Sequence, residues 1–95
     1  MEYEWDNAKA AANRRRHGVD FLDAIGALED PNRLEAVDVR FAYNEERIQT
    51  IGMVRDVVLF IVTAGRGEER YRIISARKAT RHEQDRYDAG DREAW

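Results

Sequence analysis

The chain has 95 residues, 43% hydrophobic and 37% charged, with a formal net charge of −3 and no cysteine. This is the length of one small domain, expected over residues 1–95; a multi-layer enzyme with its own cofactor domain is excluded, as are a disulfide framework and a zinc–thiolate site. No apolar run approaches the about 20 residues of a membrane span, and Met1–Asp6 has neither the basic flank nor the apolar stretch of a signal peptide, so a cytoplasmic protein is expected.

Tyr3–Trp5 reads as a short first strand. Asp6 is a suitable N-cap for an Ala-rich helix through Lys9–Arg16, and Gly18 stands where a left-handed C-cap is wanted. Asp20 then caps a second helix in which Phe21, Ala24, Ile25 and Leu28 form one apolar stripe, ended at Asp30-Pro31-Asn32. From Leu34 the period changes to two. Val37, Val39, Phe41 and Tyr43 alternate with Asp38, Arg40 and Ala42, which predicts a strand with those four residues on its buried face. Asn44-Glu45 makes a turn, Arg47–Met53 a second strand of this sheet, and Val57–Thr63, apolar throughout, a central strand covered on both faces. Ala64-Gly65-Arg66-Gly67-Glu68 is a hairpin loop, and Arg70–Arg77 returns as the last strand. Thr80 and Glu83 have capping-box spacing at the head of a final helix that Gly90 ends. The order βααββββα is an α+β fold, with a short N-terminal strand, two helices, an antiparallel four-stranded sheet and a C-terminal helix.

Charge is unevenly placed along this order. Residues 20–46 carry two basic and eight acidic groups, whereas residues 66–82 carry six basic and two acidic. An acidic whole argues against indiscriminate binding to polyanions, and the local excess of four positive charges argues for one anion-facing patch.

Basic side chains are the candidates for chemistry. Lys9, Asn13, Arg16 and His17 recur at helical spacing as one polar stripe, opposite Ala8, Ala11 and Ala12, which could grip phosphate or shuttle a proton; a plain solvated helix face is the alternative. On the last strand, strict alternation puts Arg70, Arg72, Ile74 and Ala76 on one face and Tyr71, Ile73, Ser75 and Arg77 on the other. Arginines two residues apart stand about 7 Å apart, near the spacing of adjacent phosphates on a single strand. Lys78 and Arg81 continue the positive charge into the head of the final helix. The competing reading pairs Arg70 or Arg72 with Glu45, Glu46 or Asp38 across strands. Gly65-Arg66-Gly67 lacks the setting and the Lys-Ser/Thr ending of a P-loop, and His17 and His82 do not make a metal site, so neither a nucleotide nor a metal cofactor is expected.

The segments Trp5-Asp6-x-x-Lys9 and Arg16-His17-Gly18-Val19-x-Phe21-x-x-Ala24 resemble the opening of the BrnT toxins. Glu45-Glu46-Arg47-x-x-x-Ile51-Gly52 and Arg72-Ile73-Ile74-Ser75-Ala76-Arg77-Lys78-Ala79-Thr80 resemble their middle and end, in family order and over roughly residues 4–88. The resemblance implies a RelE-like fold and a ribonuclease that arrests translation. It implies as partner a BrnA-type ribbon-helix-helix antitoxin, with operator DNA bound only through the toxin–antitoxin complex. Where the family commonly reads Tyr-Thr-Glu-Arg-Gly, this chain has Val62-Thr63-Ala64-Gly65-Arg66-Gly67.

Read this way, cleavage uses the ribose 2′-OH as nucleophile, without a metal. Arg72 and Arg77 stabilise the phosphate, Lys9 or His17 transfers a proton, and Arg16, Arg47, Arg66, Arg70, Lys78 and Arg81 hold RNA. A non-catalytic module that uses the same basic face to hold an antitoxin or nucleic acid is the rival reading.

Overall fold

The computed structural model describes residues 2–38, 46–65 and 69–90. The elements follow the predicted order: β1 (Glu2–Glu4), α1 (Asn7–His17), α2 (Phe21–Leu28), β2 (Leu34–Val37), β3 (Arg47–Val54), β4 (Val57–Gly65), β5 (Arg70–Lys78) and α3 (Arg81–Ala89). The predicted strand residues Val39 to Tyr43, the Asn44-Glu45 turn and the loop residues Arg66, Gly67 and Glu68 lie outside the described residues.

Local signals end the helices. The Asp6 carboxylate accepts from the N–H groups of Ala8 and Lys9 at 2.8 and 3.1 Å, and Gly18 closes α1 at φ 72°. In α3 the Thr80–Glu83 capping box is complete and Gly90 ends the helix at φ 66°. The α2 cap differs from expectation. The Asp20 side chain makes no capping bond and instead faces Arg14 at 3.7 Å.

The sheet has five strands in the order β1-β5-β4-β3-β2, and is mixed, not a four-stranded antiparallel sheet. Strands β2 to β5 pair antiparallel, but β1 lies parallel to β5, with Tyr3 opposite Tyr71 and Glu4 opposite Arg72. Three residues are too few for periodicity to announce a partner almost seventy residues away. Val37 also departs from the predicted buried face and is 54% exposed, because Leu34 carries the inward parity on this edge strand. Asp38, expected on the polar side, is buried and accepts from Gln49 Nε2 at 2.8 Å.

Helices α1 and α2 cover one face of the sheet. Their core joins Phe21, Ala24, Ala27 and Leu28 of α2 to Leu59 and Ile61 of β4 and Ile73 and Ala76 of β5. Helix α3 lies on the other face, where Leu34, Ile51 and Val58 pack with Met53, Phe60 and Tyr87. The approach of α2 to the sheet is tight. A Cβ on Gly52 would stand 2.1 Å from the carbonyl oxygen of Ala27, so only glycine fits there.

Candidate active site

The sheet register lays one row of side chains across three strands. Arg47 of β3 is opposite Ala64 of β4, Ala64 is opposite Arg72 of β5, and Arg72 is opposite Glu4 of β1. Residues in one row share a face, here the face that carries α3. Ala64 is fully buried between the two arginines and contributes only a methyl group. Two cationic stems therefore stand about 10 Å apart at their Cα atoms, two strand spacings, with a small residue between them.

A break in register decides what shares that face. Val62 pairs with Ser75 and Thr63 with Ile73, so Ile74 is the extra residue of a bulge. Strict alternation had put Arg72 with Ala76 and Arg77 with Ile73. The bulge instead sends Ile73 and Ala76 together into the core under α1 and α2, and leaves Arg72, Ser75 and Arg77 on the opposite face.

Beside this row the head of α1 meets β5. Asp6, Lys9, Arg47, Arg72, Ile73 and Ile74 line a cavity of about 120 Å³. Three of the predicted cations, Lys9, Arg47 and Arg72, thus converge. Their setting adds the positive end of the α1 dipole, and Asp6, Ile73 and Ile74 complete the lining. Ammonium and guanidinium donors on more than one side of such a space can hold a phosphate group, the Asp6 carboxylate being engaged in capping α1.

The remaining candidates are placed elsewhere. The Arg77 guanidinium makes a two-pronged bond to Glu83 at 2.9 and 3.0 Å and lies 4.2 Å above the Phe60 ring, which ties β5 to the head of α3. Arg70 pairs with Glu2 at 3.3 Å, and Arg81 with Asp85 at 3.5 Å, one turn along α3. Arg16 is exposed near the end of α1 and His17 closes that helix, about 12 Å along the axis from Lys9. Lys78 lies at the far end of β5, where it lines a separate 200 Å³ cavity with Gly18, Val54, Arg55 and Val57. Arg66 is outside the described residues.

Asn13 does not belong to an exposed polar stripe. It is 8% exposed, and its side-chain amide nitrogen donates to the carbonyls of Val19 and Ala76 at 3.0 and 2.8 Å. Its Oδ1 accepts from the Ala76 N–H at 3.1 Å. Sequence reasoning also gave Asp6 only a capping role, although it lines the cavity as well. One local signal pointed at Asn13: an amide in the interior of the helix, directly after the Ala10–Ala12 run, where its low helix propensity calls for a partner.

Two carboxylates anchor α3. Asp30 accepts from the Tyr87 hydroxyl, from Met53 N–H at 2.8 Å and from Asn32 N–H at 2.9 Å. Burial alone would raise its pKa, but these donors and the Arg33 charge outweigh it and hold the carboxyl below the usual range. Glu83 is likewise lowered: burial opposes ionisation, and Arg77 with the Thr80 cap overcomes it. Burial, together with the Asp30 carboxylate, pushes the Tyr87 phenol up to about 12.

Fold and sequence point to one class, the ribonuclease toxins of type II toxin–antitoxin systems. Residues 5–83 match the family model described as the ribonuclease toxin, BrnT, of type II toxin–antitoxin systems. The crystal structure of the Brucella abortus ribonuclease toxin BrnT superposes with a TM-score of 0.63 at 26% sequence identity, covering 85% of this chain and 99% of that one. No curated protein sequence matches the chain. The chain belongs to the BrnT family. Membership carries the coarse function, a ribonuclease toxin whose counterpart is an antitoxin. No described helix is long and apolar enough to cross a membrane.

Proposed function

We propose that the cavity between α1 and β5 is where this chain cleaves RNA, through attack of the ribose 2′-OH on the adjacent phosphorus and without a metal ion. The observation that supports this is the convergence of Lys9, Arg47 and Arg72 on one phosphate-sized space. Arg72 and Arg47 stabilise the charge that builds on the phosphoryl oxygens in the transition state, expected to be the larger share of catalysis. Lys9, in the first turn of α1, delivers a proton to the departing 5′ oxygen, while the 2′-OH proton leaves to water at the open rim. His17 is less suited to this step because it sits at the other end of the helix. Arg77 braces α3, and Arg16, Arg66, Arg70, Lys78 and Arg81 serve the longer track of the RNA strand.

In this reading the protein arrests translation in the cytoplasm, with the RelE-like architecture its resemblance implies. It is neutralised by a BrnA-like ribbon-helix-helix antitoxin, and reaches operator DNA only within that complex. An oligoribonucleotide with a single 2′-deoxy substitution at the scissile position tests the mechanism. It should resist cleavage, while the all-ribose strand is cut equally well in excess EDTA. Cleavage of the deoxy-substituted strand would refute the 2′-OH mechanism, and loss of activity in EDTA would refute metal independence.

A further inference from the structure

The side of α1 facing the sheet offers little to fix its position. Ala10 and Ala11 are half-buried and small, and of α1's residues, all of them described, Asn13 alone is buried. Packing between alanines and a strand is non-directional, so a smooth face of this kind resists sliding weakly. The Asp6 cap does not help, because its bonds go to Ala8 and Lys9 within the same helix. The three Asn13 hydrogen bonds are directional and reach outside the helix, two of them to both backbone groups of Ala76 on β5.

Asn13 stands one helical turn after Lys9, on the same side of α1. Ala76 stands four residues after Arg72 on β5, with the Ile74 bulge between them. The amide clamp and the cation pair therefore sit on the same two elements, about one turn apart. We propose that Asn13 is a positioning residue of the ribonuclease: its clamp on Ala76 sets the register of α1 along β5 and so holds Lys9 at its working distance from Arg72. Asn13 touches no substrate and acts through Lys9. The inference rests on the assignment of Lys9 and Arg72 to the cavity.

The test is a double-mutant cycle on purified full-length protein, with kcat and KM for an oligoribonucleotide expressed per folded molecule. Asn13→Ala should lower kcat roughly 10- to 100-fold, the range a displacement of about 1 Å produces, with KM within about 3-fold because Arg47 and Arg72 lie off α1. In a Lys9→Ala background the same substitution should lower kcat less than 2-fold further, since the group it positions is gone. Gly18→Ala is the control: it strains the left-handed cap of the same helix, leaves the clamp intact, and should lower the melting temperature without changing kcat. If Asn13→Ala does not fold, Asn13→Ser, which keeps the position polar but falls short of the Ala76 backbone, carries the same comparison. Unchanged kcat in the Asn13 variant, or full losses from both substitutions that multiply, would overturn the positioning role. A Lys9→Ala enzyme with wild-type kcat would instead overturn the active-site assignment beneath it, and the positioning role with it.

Discussion

Asp30 shows how one side chain can hold three parts of a small molecule together. It satisfies the turn after α2 through Asn32, the β3 backbone through Met53 and the α3 helix through Tyr87. Because the folded-state pKa values of Asp30 and Glu83 lie below their ordinary values of 3.8 and 4.5, both groups stabilise the fold fully above those values. That stability is lost as pH falls and the carboxylates protonate. Tyr87 has the opposite sign: its phenol is raised to about 12, so its share is complete below pH 10 and is lost as pH rises through about 12. Tyr87→Phe should cost about 1–2 kcal/mol at pH 7 and flatten the alkaline limb. Glu83→Gln should flatten the acid limb. Urea midpoints measured from pH 3 to 12 check both signs.

At the level of elements, the parts legible in the sequence are those whose causes are local. Asp6, Gly18, the Thr80–Glu83 box and Gly90 announce helix ends because capping is settled within four residues. The uniform apolarity of Val57–Thr63 announces a central strand because both its faces are covered. What could not be read depends on pairing across the molecule. The Ile74 bulge exists only relative to β4, yet it reverses which residues join Arg72. The parallel β1–β5 pair joins segments distant in sequence, and Asn13 looks like a surface amide until Ala76 arrives to meet it.

Gly52 belongs to the same class, since its need for a missing Cβ comes from α2. Gly52→Ala should destabilise by about 3 kcal/mol or more, because the obstructing atom is backbone and cannot rotate away. A thermal melt unchanged from wild type would mean that α2 sits farther from β3.

For the molecule as a whole, the acidic net charge masks an uneven placement of charge. Of the eight acidic groups in residues 20–46, Asp20, Asp23, Glu29 and Asp30 lie on or beside α2 and Glu35 and Asp38 on or beside β2, while Lys9 of α1, Arg47 of β3 and Arg72 of β5 line one cavity. The sequence marked the cations individually, but only the fold shows which of them share a place. Lys9, Arg47 and Arg72 face a common space. Arg77 is held by Glu83, while Arg70 and Arg81 pair with nearby carboxylates. If the proposed site is the one used, the attraction for RNA on this acidic protein is local to that cavity instead of spread over the surface.

The most direct test of this account is single-turnover cleavage of an oligoribonucleotide by purified Arg72→Ala protein, with folding checked by circular dichroism. Removing the cation proposed to bind the phosphate should lower the cleavage rate about 100-fold or more, the scale seen when one transition-state charge donor is lost, while the melting temperature changes little. An Arg72→Ala protein that cuts RNA at the wild-type rate would contradict it.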